Sequence, residues 1–154
     1  QLDERMFAFV AECGLPYTLM HSQGTSETMQ HNPQYNNVTL EVGQFFTEKI
    51  AALRRAGGKQ ILLDPGFGFG KTLDHNYQLL REFDFFTRML YPVVAGISRK
   101  GMLYKLLGIT PAESLNATTA ANMIALQKGA SLLRVHDVKA AVEAIAVFEK
   151  VGGS

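Results

Sequence analysis

Four short apolar runs, Tyr17–Met20, Gln60–Leu63, Val93–Ile97 and Leu132–Val135, each give way at once to polar or charged residues. His21-Ser22-Gln23, Asp64-Pro65-Gly66, Ser98-Arg99-Lys100 and His136-Asp137 follow them, with Arg134 just inside the last run. Segments with helical periodicity fill the intervals. Strand–helix alternation of this kind builds a parallel sheet. Ligands of such sheets sit at the carboxyl ends of the strands, which is where this chain keeps its candidate chemistry.

The periodicity predicts the elements between the strands. Leu2, Met6, Phe9 and Val10 mark a helix over residues 1–12. A polar stretch over 22–37 reads as a working loop. Val42, Phe45, Phe46, Ile50 and Leu53 stripe a helix from Val38 to Ala56, stopped by Gly57-Gly58. Asp74 is the predicted N-cap of a helix reaching Phe83. A short helix follows Lys100 and ends at Leu107-Gly108. Thr110-Pro111-Ala112-Glu113 reads as N-cap, N1 and N3 of a helix running to Lys128. Val138, Ala141, Val142, Ile145 and Phe148 stripe the last one. Strand starts recur every 33 to 43 residues, the spacing of βα units with working loops. An eight-stranded barrel typically takes about 250 residues, so four units make half a barrel. An open flavodoxin-like sheet is the alternative. The opening residues read as a helix without its preceding strand, which is expected of a truncated or split chain.

Composition narrows the classes. With 154 residues and a net charge of +1, there is no broad electrostatic case for nucleic acid or an acidic membrane surface. No apolar stretch is long enough to span a bilayer, and no signal-peptide pattern opens the chain. A cytoplasmic protein is expected. The single cysteine, Cys13, excludes an internal disulfide and is expected to be an inert buried thiol. His21 and His31 lack metal-ligand spacing with nearby carboxylates, and His75 is expected at the surface.

The segment Asp64-Pro65-Gly66-Phe67-Gly68-Phe69-Gly70-Lys71-Thr72 invites a phosphate-loop reading and fails it. The Walker pattern needs four residues between its first Gly and Gly-Lys-Thr; Gly66 to Gly70 leaves three. Lys71 at the third glycine position excludes the dinucleotide fingerprint as well. Asp64 can instead accept two hydrogen bonds from the edge of a planar, amidine-like heterocycle. The glycines admit a flat ligand closely, and Phe67 or Phe69 can stack on it. A structural aspartate capping a glycine-rich turn accounts for the spacing equally well. In extended geometry Ser98 and Lys100 share one side and Arg99 takes the other. Lys100 can donate to carbonyl and ring-nitrogen acceptors, or can be a solvated helix-cap charge. Arg134 and His136 form a period-2 pair suited to a pyrophosphate, with a satisfied loop histidine as the plainer account of His136. Asp137 orients these groups or caps the next helix.

Taken together, four segments resemble the dihydropteroate synthases: Leu19-Met20-His21-Ser22-Gln23-Gly24, Leu63–Lys71, Gly96-Ile97-Ser98-Arg99-Lys100 and Arg134-Val135-His136-Asp137-Val138. Each alone is weak; all four in order along nearly the whole chain are specific. The resemblance implies an α/β fold, a (β/α)8 TIM barrel of which residues 1–154 supply the last four βα units. It implies a transferase of folate synthesis, inhibited by sulfonamides, that joins 7,8-dihydropterin-6-ylmethyl diphosphate to 4-aminobenzoate and releases 7,8-dihydropteroate and pyrophosphate. Asp64 would bind the pterin edge, and Lys100 would donate to the pterin carbonyl and ring nitrogen. Met20, Phe69, Gly68 and Gly96 would line the pockets, with Ser98 near the aminobenzoate carboxylate. Arg134 and His136 would hold the leaving pyrophosphate. Two loops of the family's N-terminal half, and an Asp and an Asn from its strands, have no counterpart here. Mg2+ is therefore expected through the substrate diphosphate and the absent loop, with no metal ligand in this chain, and the chain alone is expected to be inactive. A homodimer is implied too, with the Phe83–Phe86 neighbourhood and the 111–128 helix as candidate surface. A non-catalytic, self-associating half-barrel and a pterin-dependent methyltransferase of the same barrel family are the competing readings.

Overall fold

All four expected strands form, and all run parallel. In a computed structural model, residues 4–24 and 33–152 are described. The order is α1 (Glu4–Cys13), β1 (Tyr17–Met20), α2 (Val38–Arg55), β2 (Ile61–Asp64), α3 (Leu73–Arg81), α4 (Asp84–Thr87), β3 (Val94–Ala95), α5 (Gly101–Leu107), α6 (Leu115–Gln127), β4 (Leu132–Leu133) and α7 (Val138–Gly152). Strand β1 pairs with β2 from Tyr17↔Ile61 to Met20↔Asp64, and β3 pairs with β4 at Val94↔Leu132 and Ala95↔Leu133. A parallel bridge, Leu63↔Val93, joins the two pairs in the order β1-β2-β3-β4. Each successive strand thus lies beside its predecessor, as βα units require.

Strand parity divides the sheet into two faces. Leu19, Ile61, Leu63, Val93 and Ala95 are buried among helical residues that include Val42, Phe46, Leu53 and Leu79. The alternate residues Thr18, Met20, Leu62, Asp64, Val94, Leu132 and Arg134 line an open cleft of about 300 Å³. Strands β3 and β4 are shorter than the runs predicted for them. Their pairing tapers off through the Arg134 N–H, which donates to the Ala95 carbonyl, and the chain turns at Ser98–Arg99.

Local chemistry moves several boundaries. The N-cap of α3 is Thr72, not Asp74: its hydroxyl accepts from the His75 N–H, and His75 Nδ1 accepts in return from the Thr72 N–H. His75 is therefore half-buried in a capping box rather than free at the surface. Helix α6 begins at Leu115 because residues 110–114 close tighter i→i+3 bonds. Glu113 still reaches back to the Thr110 N–H and hydroxyl, as a capping box would. Phe83 lies beyond α3 and stacks on Phe67 at 6.2 Å. Phe83 and Phe86 are fully buried, so they belong to the core and not to a dimer surface.

The two outermost helices depart furthest from their stripes. On α1, Phe7 is buried while Met6 and Phe9 are exposed, because α2 is the neighbour it packs against. Cys13 is exposed, correcting the buried-thiol expectation; it lies about 120° around the helix from Phe7. On α7, Ala141 and Ala144 are buried while Val138 and Val142 are exposed. Small side chains let α7 approach α6 closely. Leu2, His31 and the 25–32 part of the predicted loop lie outside the described residues.

Candidate functional site

The glycine-rich turn after β2 is folded by its own polar groups. Asp64 Oδ1 accepts from the Gly66 N–H at 2.8 Å, the Phe69 N–H donates to the Gly66 carbonyl at 3.1 Å, and the Gly68 N–H donates to Asn76 Oδ1 at 2.7 Å. Gly66 has φ +72°, and a Cβ there would collide with the His21 carbonyl. Only glycine fits that close approach. Of the two candidate stacking rings, Phe67 is consumed by the core. Phe69 faces the site, with Lys100 Nζ 4.2 Å from its ring centre, a cation–π contact.

Asp64, Lys100 and Arg134 converge. An Nη2 N–H of Arg134 donates to Asp64 Oδ2 at 2.8 Å, although 70 residues separate them. Asp64 is 1% exposed. A carboxylate so buried needs partners, and the Gly66 N–H and Arg134 are two. Gly96 leaves room for Arg134, since a Cβ there would strike the guanidinium. Burial pulls the Lys100 amine below its usual range; the Arg134 charge adds to this and Asp64 opposes it. Met20, level with Asp64 in the sheet register, walls the same cleft as Asp64 and Arg134. Gly68, Phe69 and Lys100 line a second cleft of about 570 Å³, together with Tyr104 and Lys105.

The next pair of loops is cross-linked twice. Ser98 Oγ and His136 Nδ1 are 3.0 Å apart, and the His136 N–H donates to the same hydroxyl at 3.2 Å. Arg99 grips Asp137 with two N–H donors, at 2.9 and 2.6 Å. This pairing holds the Asp137 carboxyl below the usual range, so Asp137 anchors a loop instead of capping α7 with its side chain. Extended geometry does not persist at 98–100. Arg99 takes φ +53° in a turn closed by the Lys100 N–H on the Ile97 carbonyl. That turn sends Ser98 to His136, Arg99 to Asp137 and Lys100 to Phe69. Within the chain Arg134 and His136 have different partners, Asp64 and Ser98.

A family model described as "pterin binding enzyme" matches residues 1–136. The chain belongs to the pterin-binding enzymes.

Among its relatives, the dihydropteroate synthase of Escherichia coli (strain K12) is 48% identical over 141 residues, 90% of this chain and 50% of that one. The solved dihydropteroate synthase of Thermus thermophilus superposes with a TM-score of 0.94 at 41% identity, over 98% of this chain and 61% of that one. The same Thermus enzyme has been solved in complex with 4-aminobenzoate, again at a TM-score of 0.94, with 98% of this chain and 62% of that one covered. The chain spans about half the length of the curated relatives it matches. Its four βα units are units of a (β/α)8 barrel.

Two further residues shape this candidate site, and neither was predicted for it. Asn76, on α3, receives the Gly68 N–H and donates to the Thr72 carbonyl at 2.6 Å. Lys71 is buried at 5% exposure against His21. Its signal in the sequence was a lysine at the position where the dinucleotide fingerprint needs its third glycine. Burial, helped by the Lys71 charge, drives His21 down to about 3. Burial drives Lys71 down to about 7, opposed by Asp64 and assisted by Lys100.

Proposed function

We propose that the chain works within a dihydropteroate synthase, as the last four βα units of its barrel. The convergence of Asp64, Lys100 and Arg134 on one strand-end mouth carries the reading. Asp64 keeps unused lone pairs with which to accept the N–H donors of a pterin edge. Lys100 donates to the pterin carbonyl and ring nitrogen, and Phe69 covers the ring. Met20, Gly68 and Gly96 border the pocket, and Ser98 lies towards the aminobenzoate. Arg134, released from Asp64 by the incoming ring, and His136 take the diphosphate. The bond between the pterin methylene and the diphosphate oxygen breaks, and the arylamine nitrogen then bonds to the methylene and loses a proton. Negative charge gathers on the departing pyrophosphate, where the guanidinium and imidazole stabilise it.

Mg2+ enters this reading as part of the substrate, carried on the diphosphate. Among the described residues no three His, Cys, Asp or Glu side chains gather around one point. No described helix is long and apolar enough to cross a membrane. A cytoplasmic location is part of the proposal, since folate synthesis draws on soluble substrates. A homodimer belongs to the proposal as well, built on the exposed Ile124 of α6 and Val147 and Val151 of α7. Sedimentation is expected to show a dimer for the unaltered protein and a monomer for Val147→Asp; no change on substitution counts against that surface.

Calorimetric titration tests the ligand assignment. Saturable binding of 6-hydroxymethyl-7,8-dihydropterin diphosphate is expected, with methyltetrahydrofolate bound weakly or not at all. Tight methyltetrahydrofolate binding and indifference to the pterin diphosphate would instead favour the methyltransferase. Self-association with neither ligand bound would favour a structural half-barrel.

A further inference from the structure

Lys71 carries a charge-bearing group into the interior, yet none of the chemistry proposed above uses it. Its Nζ lies 2.9 Å from the Gly66 carbonyl, 3.0 Å from the Phe69 carbonyl and 3.0 Å from His21 Nδ1. An ammonium has three N–H donors, and here each has an acceptor. With Nδ1 accepting, the His21 ring keeps its proton on Nε2.

The turn is wrapped around its own lysine. The Gly66 carbonyl also receives the Phe69 N–H, so both of its lone pairs are used. The Gly66 carbonyl and the Phe69 carbonyl belong to the residues that open and close the turn. His21 immediately follows β1, and Gly66 packs against its carbonyl with no space for a side chain. Lys71 therefore spans the seam between two loops of the site and fixes both ends of the turn. Neighbouring ties act elsewhere: Asn76 on the Gly68 N–H and the Tyr35 hydroxyl on the Gly70 carbonyl, at 2.9 Å. A buried cation with matched donors is costly to disturb, which makes this clamp stiff.

We infer that Lys71 is a positioning residue for pterin binding: by clamping Gly66, Phe69 and His21 together, it holds the turn that presents Asp64 and the Phe69 ring to the ligand. The inference rests on the pterin reading above.

Lys71→Met keeps the side-chain length and removes the donors. In calorimetry its Kd for 6-hydroxymethyl-7,8-dihydropterin diphosphate is expected to rise at least tenfold. Its Kd for inorganic pyrophosphate, which does not need the turn, is expected to stay within twofold. An unchanged pterin Kd overturns the clamp, and so does an equal loss of both ligands, which would signal general damage. Should Lys71→Met fail to fold, His21→Phe removes one acceptor while keeping a ring; at least a threefold loss of pterin affinity is expected, and none overturns the inference. If the unaltered protein binds no pterin diphosphate, the ligand reading fails by itself. The clamp is then decided by hydrogen exchange: the Phe69 amide exchanges at least tenfold faster in Lys71→Met, or the clamp is wrong.

Discussion

Both Asp64 oxygens are engaged within the protein, one by the Gly66 N–H and one by Arg134. Asp64→Asn replaces an acceptor-only group with an amide whose NH2 would face Arg134 and the pterin donors. A hydrogen bond to a charged group contributes about 1.5–3 kcal/mol, so pterin affinity should fall roughly 10- to 100-fold, as read by calorimetry. A loss under threefold would remove Asp64 from the ligand edge. His21 gives a stability prediction of definite sign. Its folded value, about 3, lies below the ordinary 6.5, so between them the unfolded chain binds the extra proton. The His21 contribution is then complete above pH 6.5 and declines as pH falls towards 3, by at most about 1.4 kcal/mol per unit. Urea titrations across that range should show the decline, and His21→Gln should flatten it. The sequence made Asp64 and Arg134 legible one at a time, because one follows an apolar run and the other interrupts the end of one. Their mutual bond was not legible, since it depends on β2 and β4 being brought together across the sheet. Lys71 was hidden for a related reason: its partners at 66, 69 and 21 fit no helical or strand period.

Elements were legible wherever one local rule governed them. Gly108 closes α5 in the left-handed conformation, as its position suggested, and α2 begins at Val38 as predicted, with Asn37 accepting from the Thr39 and Leu40 N–H groups. Helices misread from the sequence are those where a neighbour decided the outcome. Helix α7 buries Ala141 of its predicted stripe and half-buries Ile145 and Phe148, but brings Ala144 inward and leaves Val138 and Val142 exposed. The connection from α4 to β3 offers a clean test of backbone cost. Leu90 is 91% exposed and has φ +62°, a conformation that costs an L-residue about 1–2 kcal/mol. Glycine removes that cost but gains freedom in the unfolded chain. Leu90→Gly should therefore stabilise the protein by a net of about 0.5–1 kcal/mol in urea denaturation. Destabilisation would mean that the exposed side chain has a partner.

At the scale of the whole molecule, the helices cover one face of the sheet and the site opens beside the other. The run-and-burst pattern conveyed that division because parallel strands deliver their ends to one rim. It could not convey how the loops after β3 and β4 interlock there, through Ser98 with His136 and Arg99 with Asp137. The Arg134–Asp64 bond, finally, makes the pocket electrically self-contained. A pterin alcohol lacking phosphates must prise the guanidinium away with nothing to offer it, and free pyrophosphate must strand the carboxylate. A molecule bearing both ends compensates both losers in a single exchange. Its association constant, corrected for linkage, should thus exceed the product expected from its two halves, and Arg134→Met should abolish that surplus. Halves that bind independently, with the surplus absent in the unaltered protein, would show that this internal pair plays no part in selecting the intact diphosphate.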